Sequence, residues 1–246
     1  MFGTGMVLAR GCSSRLLVLS ATGNLRALLS GLVFAVFAQA SLKGFLSPLR
    51  DEIAAYATTG AIEGNDLLGI SGISTSQAVL ISAICALGAI LFSNYRNLGM
   101  KTIIAAILVG SAIPLAWWFT SSMAGIAFEP VKMEAVTFTG PSADTLMFFL
   151  NPPGAAMDFS IGLVPGVFIG SFLAALVTGQ LQLQGFEGGH SMKRYLFGGA
   201  LMGFGGMLAG GCAVGAGVTG ASVFAATAWI TLFAIWLSAG LTDRLL

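Results

Sequence analysis

The chain has 246 residues, of which 56% are hydrophobic and only 9% are charged, and its mean hydropathy is +0.90. Soluble domains carry about 25% charged residues, so this composition excludes a water-soluble globular protein. The formal net charge is +1 and the charges form no basic cluster, so the sequence predicts no nucleic-acid partner. A lipid bilayer is therefore the expected surrounding of the chain.

Long segments without Asp, Glu, Lys or Arg predict membrane-spanning helices. A spanning helix needs about 20 apolar residues, and continuous apolar runs favour helices over the alternating strands of a barrel. The first predicted span ends near Cys12, and the others cover about residues 24–42, 77–95, 100–119, 159–180, 195–212 and 218–241. The sequence thus predicts an all-α polytopic membrane protein with six or seven transmembrane helices and short re-entrant or broken helices.

The stretch between the fourth and fifth spans does not fit a complete crossing. Residues 142–150 are apolar but too short to span, and the sequence Asn-Pro-Pro-Gly at 151–154 interrupts them. We expect a re-entrant helix or one that lies at the membrane surface, and the sequence leaves both open. Asp144 and Asp158, near the two ends of the segment 141–158, are expected at the membrane surface rather than as proton carriers.

A glycine-rich motif that ends in a cysteine occurs twice, 200 residues apart. Residues 2–12 read FGTGMVLARGC and residues 202–212 read MGFGGMLAGGC, with the same residue at six of the eleven positions. Only three cysteines occur in the chain; Cys12 and Cys212 end the motif, whereas Cys85 is expected to be a packing residue. The duplication predicts a single membrane domain, 1–246, built of two repeats at about 1–120 and 121–246.

The Lys and Arg residues predict the orientation of the spans. Short loops rich in Lys and Arg tend to be cytoplasmic, which places the turn at Arg15 and the loops at 94–101 and 181–194 inside. The two motif helices would then run in opposite directions, as in an inverted repeat with paired sites near the midplane. We therefore expect Cys12 and Cys212 to face one path near the midplane.

Most of the 34 glycines are explained by close helix packing. Small residues four apart let helix backbones approach each other in a membrane, and such pairs occur at Gly199 and Gly203 and at Gly166 and Gly170. Packing explains the run at 210–217 poorly, because each glycine weakens a helix by roughly 1 kcal/mol relative to alanine. The sequence predicts a helix break there.

A helix break beside Cys212 would create a site suited to an anion. It would expose backbone N–H groups, which bind anions, at a depth where broken helices line sites or cavities. Gly11 and Gly211 remove side chains beside each thiol, and Gly215 extends the open region after Cys212. The candidate substrate path therefore consists of five residues: Cys12, Cys212, Gly11, Gly211 and Gly215.

Together these residues resemble the YeeE/YedE family of sulfur-compound transporters of bacterial inner membranes. The resemblance rests on the duplicated G-x-G-x-x-L-A-x-G-C pattern, on CAVGAG at 212–217 and on the segment 140–170, and it covers most of the chain. It implies a multi-pass inner-membrane protein that takes up thiosulfate, with short helices dipping in from both faces. It also implies a narrow path of cysteine thiols that hydrogen-bond to the terminal sulfur of the ion, with Cys12 and Cys212 matching two family cysteines. Because the family has a further cysteine-bearing region before the first repeat, the N-terminus is expected to be shortened.

The residues alone leave three functions open. The duplicated motif favours a permease or channel for a small sulfur-containing anion, with thiosulfate as the expected substrate. The alternatives are a membrane sulfur-relay enzyme that uses a cysteine persulfide and a structural membrane subunit. We do not expect an enzyme, because an enzyme needs only one site and the motif is duplicated. We expect no metal site, because the sequence has no metal-ligand spacing, and no cofactor; without a phosphate loop the chain does not hydrolyse ATP by itself. The expected partners are the sulfur anion, the lipid bilayer and a cytoplasmic sulfur-carrier protein.

Overall fold

The computed structural model describes residues 1–56, 65–96, 99–126, 133–152, 154, 157–185 and 189–245. Residues 57–64 and 127–132, which belong to the two predicted polar segments, and Pro153 lie outside the described residues. Within the described ranges the chain is helical, and its only β-structure is two isolated bridges. The helices are α1 (Phe2–Ala9), α2 (Ser13–Ala21), α3 (Leu25–Lys43), α4 (Ser47–Ala55), α5 (Leu67–Ser71), α6 (Thr75–Tyr95), α7 (Met100–Ile126), α8 (Thr139–Leu150), α9 (Phe159–Thr178), α10 (Gly189–Leu208) and α11 (Ala226–Leu245), with a π-helical segment at Gly215–Gly220.

In the described part of the chain, five helices are long and apolar enough to cross a bilayer: α3, α6, α7, α9 and α11. These helices confirm the predicted all-α polytopic membrane class. The first predicted span is α1, which has only eight residues and is therefore about 12 Å long, too short to cross. The sixth predicted span is α10, which has 20 residues but carries Lys193 and Arg194 near its start and is not among the five. The two residues lie inside the helix rather than in a loop.

The short apolar stretch after residue 138 forms α8. This helix has 12 residues, which gives a length of about 18 Å, so it cannot span a bilayer. It ends at Leu150, with Asn151 in an extended conformation ahead of Pro152, because a proline disfavours helical geometry in the residue before it. α8 packs against α3 and α9.

Helices α1, α3 and α10 form the centre of the protein, where α10 packs against both others and α11 packs against α1. Glycine makes this packing possible: a Cβ atom on Gly203 would lie 2.6 Å from the backbone oxygen of Phe34 in α3. The close-packing interpretation therefore holds for α10. The predicted pair on α9 differs, because a Cβ atom on Gly166 or Gly170 would meet no described residue beyond its own helix within 4 Å.

The motif helices α1 and α10 run antiparallel. A Cβ atom on Gly205 would lie 2.7 Å from the backbone nitrogen of Phe2, and one on Gly198 would lie 2.7 Å from the backbone nitrogen of Ala9. The start of α1 thus lies beside the end of α10, and the end of α1 lies beside the first half of α10. Opposite directions are what the Lys and Arg distribution predicts; the assignment of one face as cytoplasmic stays a prediction.

The outer helices present large apolar side chains away from the protein. In α6 only 6% of the 18-residue apolar window is buried, and the share is 11% in both α7 and α11. Cys85 lies on α6 and is exposed. Since these helices have spanning length, the bilayer is the natural cover for their apolar side chains.

Candidate functional site

Both motif copies fold into the same turn. Arg10 in the first copy and Gly210 in the second occupy the left-handed region, with φ of 56° and 74°. In each copy this residue donates to the carbonyl three residues back (3.2 and 3.3 Å), and the following glycine donates to the carbonyl five residues back (3.0 and 2.9 Å). This pair of hydrogen bonds is a Schellman ending. It places Cys12 and Cys212 just beyond a helix end, which agrees with the break predicted for the second copy.

Each cysteine also begins the next helical segment. The carbonyl oxygen of Cys12 accepts from the fourth residue onward at 2.9 Å, and that of Cys212 does so at 2.8 Å. The first segment is the regular helix α2, whereas the second is π-helical at Gly215–Gly220. The second copy has Gly215 where the first has Arg15, and glycine's weak helix propensity permits the departure. Wide π-helical turns occur frequently at functional sites.

The Cys212 thiol is enclosed by backbone and one hydroxyl. Its side chain is only 1% exposed. The sulfur accepts the backbone N–H of Gly215 at 3.4 Å and lies 3.8 Å from Oγ1 of Thr137. A Cβ atom on Gly215 would lie 2.6 Å from that same oxygen, so glycine is what lets the Thr137 hydroxyl reach this loop. The thiol, the N–H and the hydroxyl form a small group of weak polar contacts in an otherwise apolar core.

Thr137 is a site residue that no sequence pattern indicated. It lies on the irregular segment 133–138, ahead of α8. Two threonines hold this segment: Thr120 donates to the carbonyl of Glu134 at 3.0 Å, and Thr219 donates to that of Val136 at 2.6 Å. Thr137 and Cys212 are 75 residues apart in sequence, and no local signal shows that they meet.

Cys12 has more open surroundings than Cys212. It is half-buried, and its sulfur lies 3.2 Å from Oγ of Ser14. A Cβ atom on the preceding Gly11 would lie 3.4 Å from Cδ of Arg15. The aliphatic part of the arginine side chain therefore lies beside this glycine. A thiol and a hydroxyl are thus available beside a basic side chain.

Basic side chains gather near the end of α1, around the buried ring of Tyr195. The guanidinium carbon of Arg26 lies 4.7 Å from the ring centroid and that of Arg10 lies 6.0 Å away. Arg26 also donates to the Tyr195 hydroxyl at 3.2 Å. Cation–π contacts of this kind stabilise positive charge against an aromatic face. The Cys12 end of the helix pair therefore carries positive charge.

The antiparallel register separates the two thiols. Cys12 follows the end of α1 that lies beside Gly198, whereas Cys212 follows the end of α10 that lies beside Phe2. The inverted repeat predicts both thiols at one depth near the midplane; instead they lie at opposite ends of a helix pair, with α1, about 12 Å long, between them. Antiparallel helices that pack side by side keep their C-terminal ends apart. Both copies still border one core cluster, which contains Cys212 and Leu16.

The structure brings Cys212, Gly211 and Gly215 together around Thr137, whose Oγ1 would lie 3.8 Å from a Cβ atom on Gly211. Cys12 and Gly11 form a second group at the other end of α1. The two groups are joined by the packed helices between them rather than by a contact of their own side chains in the described residues. A route for an ion through both thiols would therefore meet them one after the other.

Comparison with known proteins agrees with the sequence motifs. A model of the family described as "sulphur transport" matches residues 1–241. The thiosulfate transporter TsuA of Escherichia coli is 24% identical over 252 residues, which cover 94% of this chain and 68% of that protein. The thiosulfate transporter TsuA of Spirochaeta thermophila is 27% identical over 243 residues, which cover 94% of this chain and 70% of that protein. The chain is therefore a multi-pass membrane protein that belongs to the sulphur transport family.

Proposed function

We propose that this protein is an inner-membrane permease or channel that passes thiosulfate along a narrow path containing Cys212 and Cys12. Two relatives that each match 94% of the chain are named thiosulfate transporters. The observation that carries the proposal is the Cys212 loop, where a buried thiol lies among a backbone N–H and a hydroxyl at a helix break. A cysteine that only packs the core would need neither the Gly215 N–H nor the Thr137 hydroxyl beside its sulfur.

The chemistry of this loop suits a soft anion that must be released again. Removing an anion from water is costly, so hydrogen-bond donors must replace its hydration. A thiol is a weak donor and suits the terminal sulfur of thiosulfate, whereas the Thr137 hydroxyl can reach a harder oxygen. Weak contacts of this type favour passage over retention.

The two thiols would act as successive stations. The positive charge of Arg10 lies at the Cys12 end of α1 and would attract an anion to that end. The ion would meet the Cys12 station and the Cys212 loop one after the other, at opposite ends of α1. Transport in either direction would use the same two stations.

A persulfide relay fits the structure less well. Such chemistry needs an activated thiolate, and no basic side chain contacts the Cys212 sulfur in the described residues. A purely structural role would leave the duplicated thiols unexplained. The cytoplasmic sulfur-carrier protein stays a prediction from the sequence.

The division into repeats at about 1–120 and 121–246 stays a prediction, but the two motif copies resemble each other beyond the cysteines. After its second helical segment, each copy forms one isolated bridge to a distant loop, Asn24 with Gln184 and Ala225 with Asp66. Each then enters a long helix, α3 or α11. Helix, cysteine, short helix, bridge and long helix thus follow in the same order twice.

Uptake by membrane vesicles tests the proposed substrate. We expect vesicles that contain the protein to accumulate labelled thiosulfate. Excess unlabelled thiosulfate should compete at least ~10-fold better than sulfate, because sulfate lacks the terminal sulfur that a thiol prefers. Vesicles without the protein are the control. Equal competition by sulfate and selenite would indicate a general oxyanion carrier, and no uptake would contradict the proposed function.

A further inference from the structure

A cavity of about 180 Å³ lies beside the Cys212 loop, between that loop, the π-helical segment and the start of α11. Its wall includes Gly211 and Gly215, the glycines that accompany the thiol. A cavity of roughly 150 Å³ is large enough to hold benzene, so a small tetrahedral oxyanion fits this one. Among the described residues, no charged side chain lines it.

Two hydroxyls are the polar side-chain groups of this cavity. They belong to Thr227 and Thr231, which are one turn apart on the same face of α11. Neither hydroxyl is hydrogen-bonded to another group in the part of the chain that the structure describes. By contrast, the hydroxyls of Thr178 in α9 and Thr242 in α11 donate to the carbonyl one turn back, at 2.8 and 2.7 Å. The cavity hydroxyls are therefore available to a ligand.

The frame of the cavity is held in place by close contacts. The backbone N–H of Thr227 donates to Oδ1 of Asn65 at 2.9 Å, which fixes the first turn of α11. A Cβ atom on Gly220 would lie 2.6 Å from Cβ of Ala228, so only glycine allows the π-helical segment to approach α11 this closely. The cavity that the two threonines line is thus already formed before a ligand binds.

We propose that this cavity is an oxyanion-binding compartment beside the Cys212 loop, in which the Thr227 and Thr231 hydroxyls donate to the oxygens of the transported ion. This inference rests on the proposed function and extends it by assigning separate residues to the two ends of thiosulfate. Hydroxyls prefer hard oxygen, whereas the thiol suits soft sulfur. The compartment accepts sulfate as well as thiosulfate, and discrimination between them occurs at Cys212.

The neutral lining keeps the binding weak. An anion held by an arginine in this cavity would leave slowly, because a charge-assisted hydrogen bond is about twice as strong as a neutral one. Two neutral donors stabilise the ion enough to replace part of its water and still release it. A compartment on a transport path needs this balance.

Binding to the purified full chain tests the compartment. The measurement is the rise in melting temperature with increasing thiosulfate, and separately with sulfate, which yields apparent affinities. The double variant Thr227→Val with Thr231→Val removes both hydroxyls and keeps the side-chain shape; we expect it to bind both anions ~10-fold more weakly. The double Thr→Ser variant keeps the hydroxyls and should bind within about twofold of the parent.

The matched control is Thr178→Val, because that hydroxyl is bonded within its own helix and should not affect binding. Parent-like affinity in the double valine variant, an equal loss in the serine variant, or no anion-dependent stabilisation of the parent would overturn the compartment. If the double variant folds poorly, Thr231→Val alone should still weaken binding, and unchanged affinity there would overturn the proposal too.

Uptake separates this inference from the proposed function. Cys212→Ala should still be stabilised by sulfate, although it should not transport thiosulfate. If the parent protein takes up thiosulfate but the double valine variant binds both anions as tightly as the parent, the compartment is contradicted and the transport function stands. Binding that depends on the two hydroxyls, in a protein that takes up no thiosulfate, would contradict transport and leave the compartment standing.

Discussion

Cys212→Ala is expected to reduce thiosulfate uptake at least ~100-fold while the protein remains folded. The substitution removes the thiol that replaces water at the sulfur end of the ion, and an anion left without donors in an apolar core is strongly disfavoured. The change in stability should be small, about 1 kcal/mol, because a single buried sulfur atom is lost. Vesicle uptake and the melting temperature of the purified protein measure the two effects.

Cys85→Ala is the matched control, because Cys85 lies exposed on α6 and α6 is not part of the proposed path. This variant should keep both uptake and melting temperature. The opposite pattern for Cys212→Ala, with parent-like uptake and a lower melting temperature, would mean that Cys212 only packs the core.

Gly203→Ala is expected to destabilise the protein by about 3 kcal/mol, although it adds only one methyl group. Its Cβ atom would lie 2.6 Å from the backbone oxygen of Phe34 and 2.8 Å from the backbone nitrogen of Ala38. Backbone atoms of a packed helix cannot yield as a flexible side chain can, so α3 and α10 must separate. Thermal unfolding in detergent measures the loss.

The matched control for this substitution is Gly170→Ala in α9. Gly170 is also helical, but a Cβ atom there would meet nothing beyond its own helix within 4 Å, and alanine is the better helix former by roughly 1 kcal/mol. Gly170→Ala should therefore melt at the parent temperature or above it. Equal melting temperatures for the two variants would show that α3 and α10 do not approach as closely as described.

Hydropathy was sufficient to predict the membrane class and five of the spans, but not the nature of α1. Phe2 and Ala9 are 3% and 1% exposed, so α1 is a short helix of the protein core. A core helix and a lipid-facing helix have the same apolar composition, and the sequence of α1 offers no signal that separates them. Its length is set by the left-handed turn at Arg10. Such turns usually have glycine at this position, so an arginine gives no sequence signal for the helix end.

The cysteine motifs were found from the repeat, whereas their surroundings were not. Thr137 reaches Cys212 across 75 residues of sequence, and the hydroxyls of Thr227 and Thr231 are indistinguishable in sequence from other threonines in apolar helices. The relative depth of the thiols also depends on the register between α1 and α10. That register is fixed by where glycines allow backbones to touch, which a single sequence does not reveal.

Thiosulfate uptake by purified Cys212→Ser in proteoliposomes tests the central claim most directly, because serine keeps a hydrogen-bond donor at this position and replaces the soft sulfur with a hard oxygen. The thiol path predicts uptake within about twofold of the Cys212→Ala level, since a hydroxyl prefers hard oxygen over terminal sulfur. Full thiosulfate uptake by the serine variant would contradict the account, because size and polarity alone would then be sufficient at this position.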